Sequence, residues 1–210
     1  MKILAINGSP NPKSYTKEIL SDILNNAQQG ENIINLRNLT IKPCLGCRGC
    51  VKTNSCVQND DWNKLESMLL DTELIILGFP TYYGAAFGIN ALTHSFLERW
   101  FALRHNGVKI KAKKLIAVIV SGEGHGQFAI QSLSTFLNAY HGMELVDSII
   151  VEGATPCYLC GEGENCALSC VRAKHGDDIK ITSQLIPSLE GQEALSKAKD
   201  IGNKIKAGSL

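Results

Sequence analysis

Ile3-Leu4-Ala5-Ile6-Asn7-Gly8-Ser9-Pro10-Asn11-Pro12-Lys13-Ser14-Tyr15-Thr16 is an apolar run that breaks into a polar loop and enters a helical pattern. Similar short runs recur at Leu74–Leu77, Leu115–Val120 and Ser148–Val151, with Asn32–Leu36 as a fifth. They are continuous and rich in Ile and Val, as strands covered on both faces of a parallel sheet are. Helical stretches at Thr16–Ala27, Asp61–Leu70, Ile89–His105 and Phe128–Tyr140 alternate with them. The alternation predicts a doubly wound α/β fold on a five-stranded parallel sheet. A last helix over Leu189–Ile205 is expected after Pro187, with Ser188 as N-cap. In Ile89–His105 the apolar residues cover more than one helical stripe. That width predicts contact with a second subunit, with core packing as the competing reading.

A chain of 210 residues with 44% hydrophobic content can bury a full core without metal or disulfide staples. Met1-Lys2 leads straight into a strand without a signal-type apolar region, so a reducing cytoplasm is expected. No apolar run reaches membrane-spanning length, and a net charge of +1 offers no global attraction to nucleic acid or anionic lipid.

Loops after strands one, three and four are expected at the carboxyl edge, where open α/β sheets bind ligands. The hydroxyls of Ser9, Ser14 and Thr16, first-turn N–H groups and Lys13 form an anion site, with a plain capped turn as the alternative. In Gly78-Phe79-Pro80-Thr81-Tyr82-Tyr83-Gly84, Pro80 stiffens the turn, and the tyrosines can shield a planar ring whose edge the amides from Thr81 to Gly84 meet, with aromatics that merely join the core as the alternative. In Ser121-Gly122-Glu123-Gly124-His125-Gly126, Ser121 and Gly122 allow close backbone approach. Glu123 serves as a polar wall and His125 as a proton donor, or merely as a solvated loop histidine. The glycine spacing is not that of a dinucleotide fingerprint.

Cys44, Cys47, Cys50 and Cys56 crowd four thiols into a short loop inserted after the second strand, at 43–60. Thiols at every third residue cannot share one face of a strand, so the segment must curl, with Gly46 and Gly49 permitting it. Four converging thiolates suit a [4Fe–4S] cluster, with zinc, disulfides or free thiols as alternatives. A second set, Cys157, Cys160, Cys166 and Cys170, lies in a glycine-bearing tract at 152–187 without apolar period, where His175 could replace a cysteine. A second cluster, structural zinc and unligated or disulfide-linked thiols remain open there.

Together, the Asn7–Thr16 loop, the C-x2-C-x2-C-x5-C motif followed by Asp60-Asp61, and the Gly78–Gly84 loop resemble the iron–sulfur flavoproteins of the NADPH-dependent FMN reductase, flavodoxin-like superfamily. The resemblance spans roughly residues 1–150. It implies FMN held by Ser9, Ser14, Thr16 and Pro80–Gly84, a [4Fe–4S] cluster on the first four cysteines, and a homodimer or homotetramer. Asn11, Lys13 and Tyr15 would complete the phosphate contacts, although Pro12 and Tyr15 depart from the family's smaller or more polar residues. Cys157, Cys160 and Cys166 resemble a stretch that some members carry. A flavodoxin-like FMN domain over 1–151 would then bear a cysteine-rich extension and helix over 152–210.

Flavin exchanges two electrons or one, and a cluster exchanges one, so a chain holding both can convert between them. The leading expectation is an oxidoreductase between ferredoxin or NAD(P)H and a small acceptor such as a quinone, flavin or oxygen species. Alternatives are an NAD(P)H-dependent FMN or quinone reductase with structural zinc or free cysteines, and a non-enzymatic redox sensor or carrier. No catalytic acid is assigned.

Overall fold

The computed structural model describes residues 1–84, 86–122 and 125–210. Its strands are β1 (Ile3–Asn7), β2 (Ile33–Asn35), β3 (Leu74–Tyr82), β4 (Gly88–Ile89), β5 (Lys114–Gly122) and β6 (Glu144–Gly153). Five are parallel, in the order β2-β1-β3-β5-β6, and β4 adds a short antiparallel pairing to the end of β3. The helices are α1 (Tyr15–Asn26), α2 (Trp62–Leu70), α3 (Ala91–Glu98), α4 (Gln127–His141), α5 (Cys170–His175) and α6 (Glu193–Ala207).

Strand alternation divides the core into two layers. Ile75, Leu77 and Phe79 of β3 join Leu4, Ile6, Leu115 and Ile119 beneath α2, α3 and α4. Leu74 and Ile76 face the other way, with Ala5, Ile116 and Val118, against Ile19, Ile23, Ala198 and Ile201 of α1 and α6. At Gly202 an added Cβ would lie 2.7 Å from the Ile23 carbonyl oxygen, so α6 packs on the α1 backbone only because this residue is glycine.

The sheet differs from the sequence expectation in three places. β4 makes it six-stranded rather than five. β3 continues to Tyr82, with Pro80 opposite Val120, so much of the expected Gly78–Gly84 loop is strand and the turn begins at Tyr83 and Gly84. The proline interrupts donation, not the extended backbone. The expected Ile89–His105 helix becomes β4, α3 and a 3-10 segment over Arg99–Leu103. Its apolar excess is largely absorbed internally: Phe96, Leu97, Trp100 and Leu103 are buried, whereas Phe101 is 41% exposed.

The last helix starts at Glu193 instead of Leu189, and Ser188 instead accepts a hydrogen bond from the Glu190 N–H inside a turn. The short α5, within the second cysteine tract, has no sequence counterpart in the expected elements. No described helix is long and apolar enough to cross a membrane.

Candidate functional site

The parallel arrangement of β1, β3 and β5 brings the three expected ligand loops to one sheet edge. The Gly8 N–H donates to the Gly78 carbonyl at 2.7 Å, tying the first loop to β3. A Cβ on Gly8 would approach Thr93 Oγ1 to 1.9 Å, a clash that leaves the position to glycine. The loop is then shaped by its own polar side chains. Asn7 Oδ1 accepts from the Ser9 N–H, Ser9 Oγ from the Asn11 N–H, and Asn11 Oδ1 from the Lys13 N–H. Ser14 caps α1 by accepting from the Lys17 N–H.

The hydroxyl oxygens of Thr16 and Thr93 and Asn90 Oδ1 are buried without partners among the described residues. Buried oxygens in that state are unfavourable until a ligand or water supplies hydrogen bonds. With the first-turn N–H groups of α1, they fit a phosphate and polar ligand chain. Ser9 and Thr16 are buried, Ser14 is half-buried, and Asn11 and Lys13 are exposed. Tyr15 is drawn away, because its hydroxyl donates to the Pro187 carbonyl at 2.8 Å.

Thr81 donates to Ser121 Oγ at 2.9 Å, joining the ends of β3 and β5. Gly122 abuts Thr155, and Gly122 takes no side chain because a Cβ would come within 2.5 Å of Thr155 Cγ2. Glu123 lies outside the described residues, and His125 is exposed. Beyond Pro80 and Thr81, Tyr82 and Tyr83 border a cavity of about 920 Å³. Phe87, which sequence reasoning missed, packs edge-on to Tyr83 with centroids 5.3 Å apart. Pro43 and Glu98 form the far wall, linking this cavity to the first cysteine loop. The Cys44 N–H donates to Glu98 at 3.3 Å.

Cys44, Cys47, Cys50 and Cys56 all line one small cavity beside Arg99. The curl is made only in part as the glycines suggested. Gly46 adopts a left-handed φ of 62°, but so does Arg48 at 60°. Gly49 serves close approach instead, since a Cβ there would lie 2.7 Å from Val57 Cγ2. Cys50 is buried and its sulfur lies 3.2 Å from His105 Nε2. Burial pushes its thiol above the ordinary range, with the neighbouring thiols adding to the rise.

Arg99 is the residue that organises this loop. Its guanidinium forms a buried ion pair with Asp60, donates to the Lys42 carbonyl at 2.9 Å and reaches Cys56 Sγ at 3.1 Å. It also lies 5.4 Å from the centroid of the Trp62 ring. Burial alone would raise the Asp60 carboxyl, but the hydrogen bonds from Arg99 and from the N–H groups of Lys42 and Trp62 outweigh it and hold it below the usual range. Glu66 accepts from Trp62 Nε1 and the Cys56 N–H, while Asn54 accepts from the His105 N–H at 2.7 Å. The available signals were Arg99, set among Phe96, Leu97, Trp100 and Phe101 in an apolar helical run, and the Asp60-Asp61 pair.

No three His, Cys, Asp or Glu side chains stand together in a metal-holding arrangement among the described residues. The donor chemistry nevertheless fits an iron–sulfur group: four thiols around one cavity, with a guanidinium to offset thiolate charge and donate to sulfur. In the second set, Cys157 and Cys170 are half-buried and Cys160 and Cys166 exposed. Hydrogen bonds from Cys170, first from its N–H and then from its side chain, hold the Cys157 thiol below the ordinary range. His175 bonds Tyr158 at 3.2 Å rather than joining the thiols.

Residues 1–155 match the model of NADPH-dependent FMN reductase. An iron-sulfur flavoprotein from Archaeoglobus fulgidus is 30% identical over 162 residues, covering 74% of this chain and 79% of that protein. Another from Methanocaldococcus jannaschii is 30% identical over 156 residues, covering 73% and 76%. The NAD(P)H:quinone oxidoreductase from Methanothermobacter marburgensis superposes with a TM-score of 0.60 at 11% identity, covering 98% of this chain and 96% of that one. Oxidised flavodoxin 1 from Bacillus cereus gives a TM-score of 0.53 at 12% identity, covering 100% and 99%. These two structures establish a flavodoxin-like fold.

Proposed function

Because this chain belongs to the NADPH-dependent FMN reductase family and is an FMN-dependent oxidoreductase, we propose that it is an electron-transferring iron–sulfur flavoprotein. It takes electrons from ferredoxin or NAD(P)H and delivers them to a small acceptor such as a quinone, flavin or oxygen species. The observation that carries this reading is the adjacency of the two cavities: Cys44 lines the thiol nest, while its chain neighbour Pro43 and its hydrogen-bond partner Glu98 line the aromatic cavity.

FMN would be held by Ser9, Ser14 and Thr16 at its phosphate and by Pro80, Thr81, Tyr82, Tyr83, Gly84, Ser121 and Gly122 around its ring. Asn11 and Lys13 flank the phosphate from solvent, and Tyr15 contributes its N–H alone. A [4Fe–4S] cluster would be held by Cys44, Cys47, Cys50 and Cys56. When bound, the flavin supplies two-electron or one-electron exchange and the cluster one-electron exchange.

Arg99 donates to Cys56 and holds the loop against Asp60, while Tyr82, Tyr83 and Phe87 line the aromatic cavity. The exposed aromatic pair Tyr83 and Phe87 supports covering of this face in a homodimer or homotetramer. The size of the aromatic cavity supports a second reading, in which NAD(P)H or quinone reacts at the flavin without the cysteines.

Anaerobic stopped-flow reduction by NADH, NADPH and reduced ferredoxin separates the two. The leading reading predicts at least a tenfold loss of one donor's rate in Cys50→Ser, with flavin content retained. Wild-type rates with every donor would remove the first cysteine loop from the electron path.

A further inference from the structure

The rim of the first cysteine loop carries charge of one sign. Residues 42–57 contain Lys42, Arg48 and Lys52 and no acidic residue, and residues 104–114 contain Arg104, Lys109, Lys111, Lys113 and Lys114 and no acidic residue. The chain as a whole is nearly neutral, at +1, so cations are concentrated in these two stretches.

The fold brings the stretches together. Cys50 Sγ lies 3.2 Å from His105 Nε2, Asn54 donates to the Gly107 carbonyl at 3.0 Å, and Asn106 donates to the Val51 carbonyl at 3.2 Å. Lys109 Nζ donates to the carbonyls of Thr53 and Asn54, both at 2.9 Å, so its charge is fixed on the loop by uncharged acceptors. Arg48 and Lys52 are exposed and meet no carboxylate among the described residues. Asp71 pairs with Lys111 at 3.7 Å, and Asp60 is taken by the buried Arg99. The cations left unneutralised therefore include Arg48, Lys52 and Lys109, which sit on or against the loop.

Within this rim the surface is apolar. Leu45, Val57 and Phe101, exposed by 70%, 60% and 41%, line the small cavity that the four thiols share. Val51 and Val108 are exposed on the joined stretches. An apolar centre with a charged border is the build of a protein docking surface. Transient electron-transfer encounters are small and are steered by complementary charge. A second copy of this chain does not fit, since a twofold contact would set these cations against themselves. Nucleic acid or an anionic membrane would answer the charge, but neither accounts for its gathering around the thiols.

Resting on the electron-transfer reading above, we propose that the face formed by residues 45–57 and 101–109 docks an acidic one-electron carrier protein. Its carboxylates meet Arg48, Lys52 and Lys109, and its apolar tip covers Leu45, Val57 and Phe101. Cys50 meets this face at His105, whereas Cys44 meets Glu98 at the aromatic cavity. The carrier and the small acceptor thus approach by different sides of the nest.

The test is titration calorimetry of anaerobically purified full-length protein with an acidic two-cluster ferredoxin, at about 0.02 M and about 0.3 M salt. The double variant Arg48→Glu, Lys52→Glu is compared with Lys199→Glu, Lys206→Glu, which removes the same charge from exposed positions of α6, against the opposite core layer. The expected result is saturable binding at low salt that weakens at least about tenfold at high salt and at least about tenfold in the loop variant, and stays within about threefold of wild type in the α6 variant. No binding by the wild type, equal losses in both variants, or full affinity in the loop variant would overturn the surface. Duplex DNA or vesicles of pure phosphatidylglycerol that bind more tightly than ferredoxin, and only to the wild-type loop, would overturn it in favour of a polyanion surface. A wild-type dimer that the loop variant dissociates would overturn it in favour of a second copy. Hydrogen exchange of the wild type needs no variant: ferredoxin should protect residues 45–57 and 101–109, and protection confined elsewhere contradicts the surface. Stopped-flow reduction separates this surface from the reading beneath it. Ferredoxin that binds here without reducing the flavin keeps the surface and removes the electron path, whereas reduction at an unchanged rate in the loop variant keeps the path and removes the surface.

Discussion

The two cysteine loops contain the same number of thiols but differ in what surrounds them. The first is held by distant side chains: Arg99 pairs with Asp60 and reaches Cys56, His105 meets Cys50, and Asn54 accepts from the His105 N–H. The second is held chiefly by nearby backbone bonds between its own turns. A spacing motif therefore identifies thiols, while the groups packed around them distinguish a loop tied to the core by distant side chains from one tied mostly to itself.

The largest expected effect breaks the ion pair beneath the first loop. Asp60→Asn leaves the buried Arg99 charge without its partner and should cost about 3–5 kcal/mol in chemical denaturation. The corresponding change in the second loop, Asp177→Asn, removes an exposed partner of Arg172 and should leave the midpoint within error. Equal effects would erase the distinction between the loops.

Acid provides the next test. His141 is buried beside Trp100, and burial first, then the Arg104 charge, pushes its pKa down to about 4. The unfolded chain has an ordinary histidine and binds more protons between about pH 6.5 and 4. Stability from this residue is thus present above pH 6.5 and is lost as the pH falls toward 4, by about 2 kcal/mol after solvent screening. Denaturation of wild type and His141→Leu at pH 7.5 and 4.5 should show a smaller acid loss in the variant. Hydrogen exchange should loosen the segment around Trp100 before the second loop.

Much of this organisation was legible in the sequence. Continuous Ile- and Val-rich runs revealed the parallel strands, and thiol spacing together with polar βα loops identified the candidate edge. The organising shell was less legible, because Arg99 and His105 meet cysteines 43 and 55 residues away. No proline or glycine between Ala91 and Leu103 marked the change from α3 to its 3-10 continuation. Pro80 suggested a loop, yet the strand continued through it on pairing with β5. The short β4 was hidden by its two-residue length.

The smallest expected effects compare two glycines. Gly49→Ala should cost about 1–2 kcal/mol by pressing on Val57, and Val57→Ala should relieve it. Gly161→Ala should cost about 1 kcal/mol through its left-handed φ of 82°, with no neighbouring change able to rescue it. Thermal unfolding of the single and double variants distinguishes close packing from backbone conformation.

The central claim is that the first loop carries an iron–sulfur cluster beside FMN. Its most direct test is an anaerobic absorption spectrum of untagged wild type and Cys50→Ser, with iron, sulfide and FMN quantified on the same samples. The account predicts flavin bands over a broad thiolate-to-iron shoulder, with about four irons and four sulfides per chain, and loss of that shoulder alone in Cys50→Ser. Flavin with neither iron nor sulfide in the wild type, or an iron content unchanged by Cys50→Ser, would contradict it.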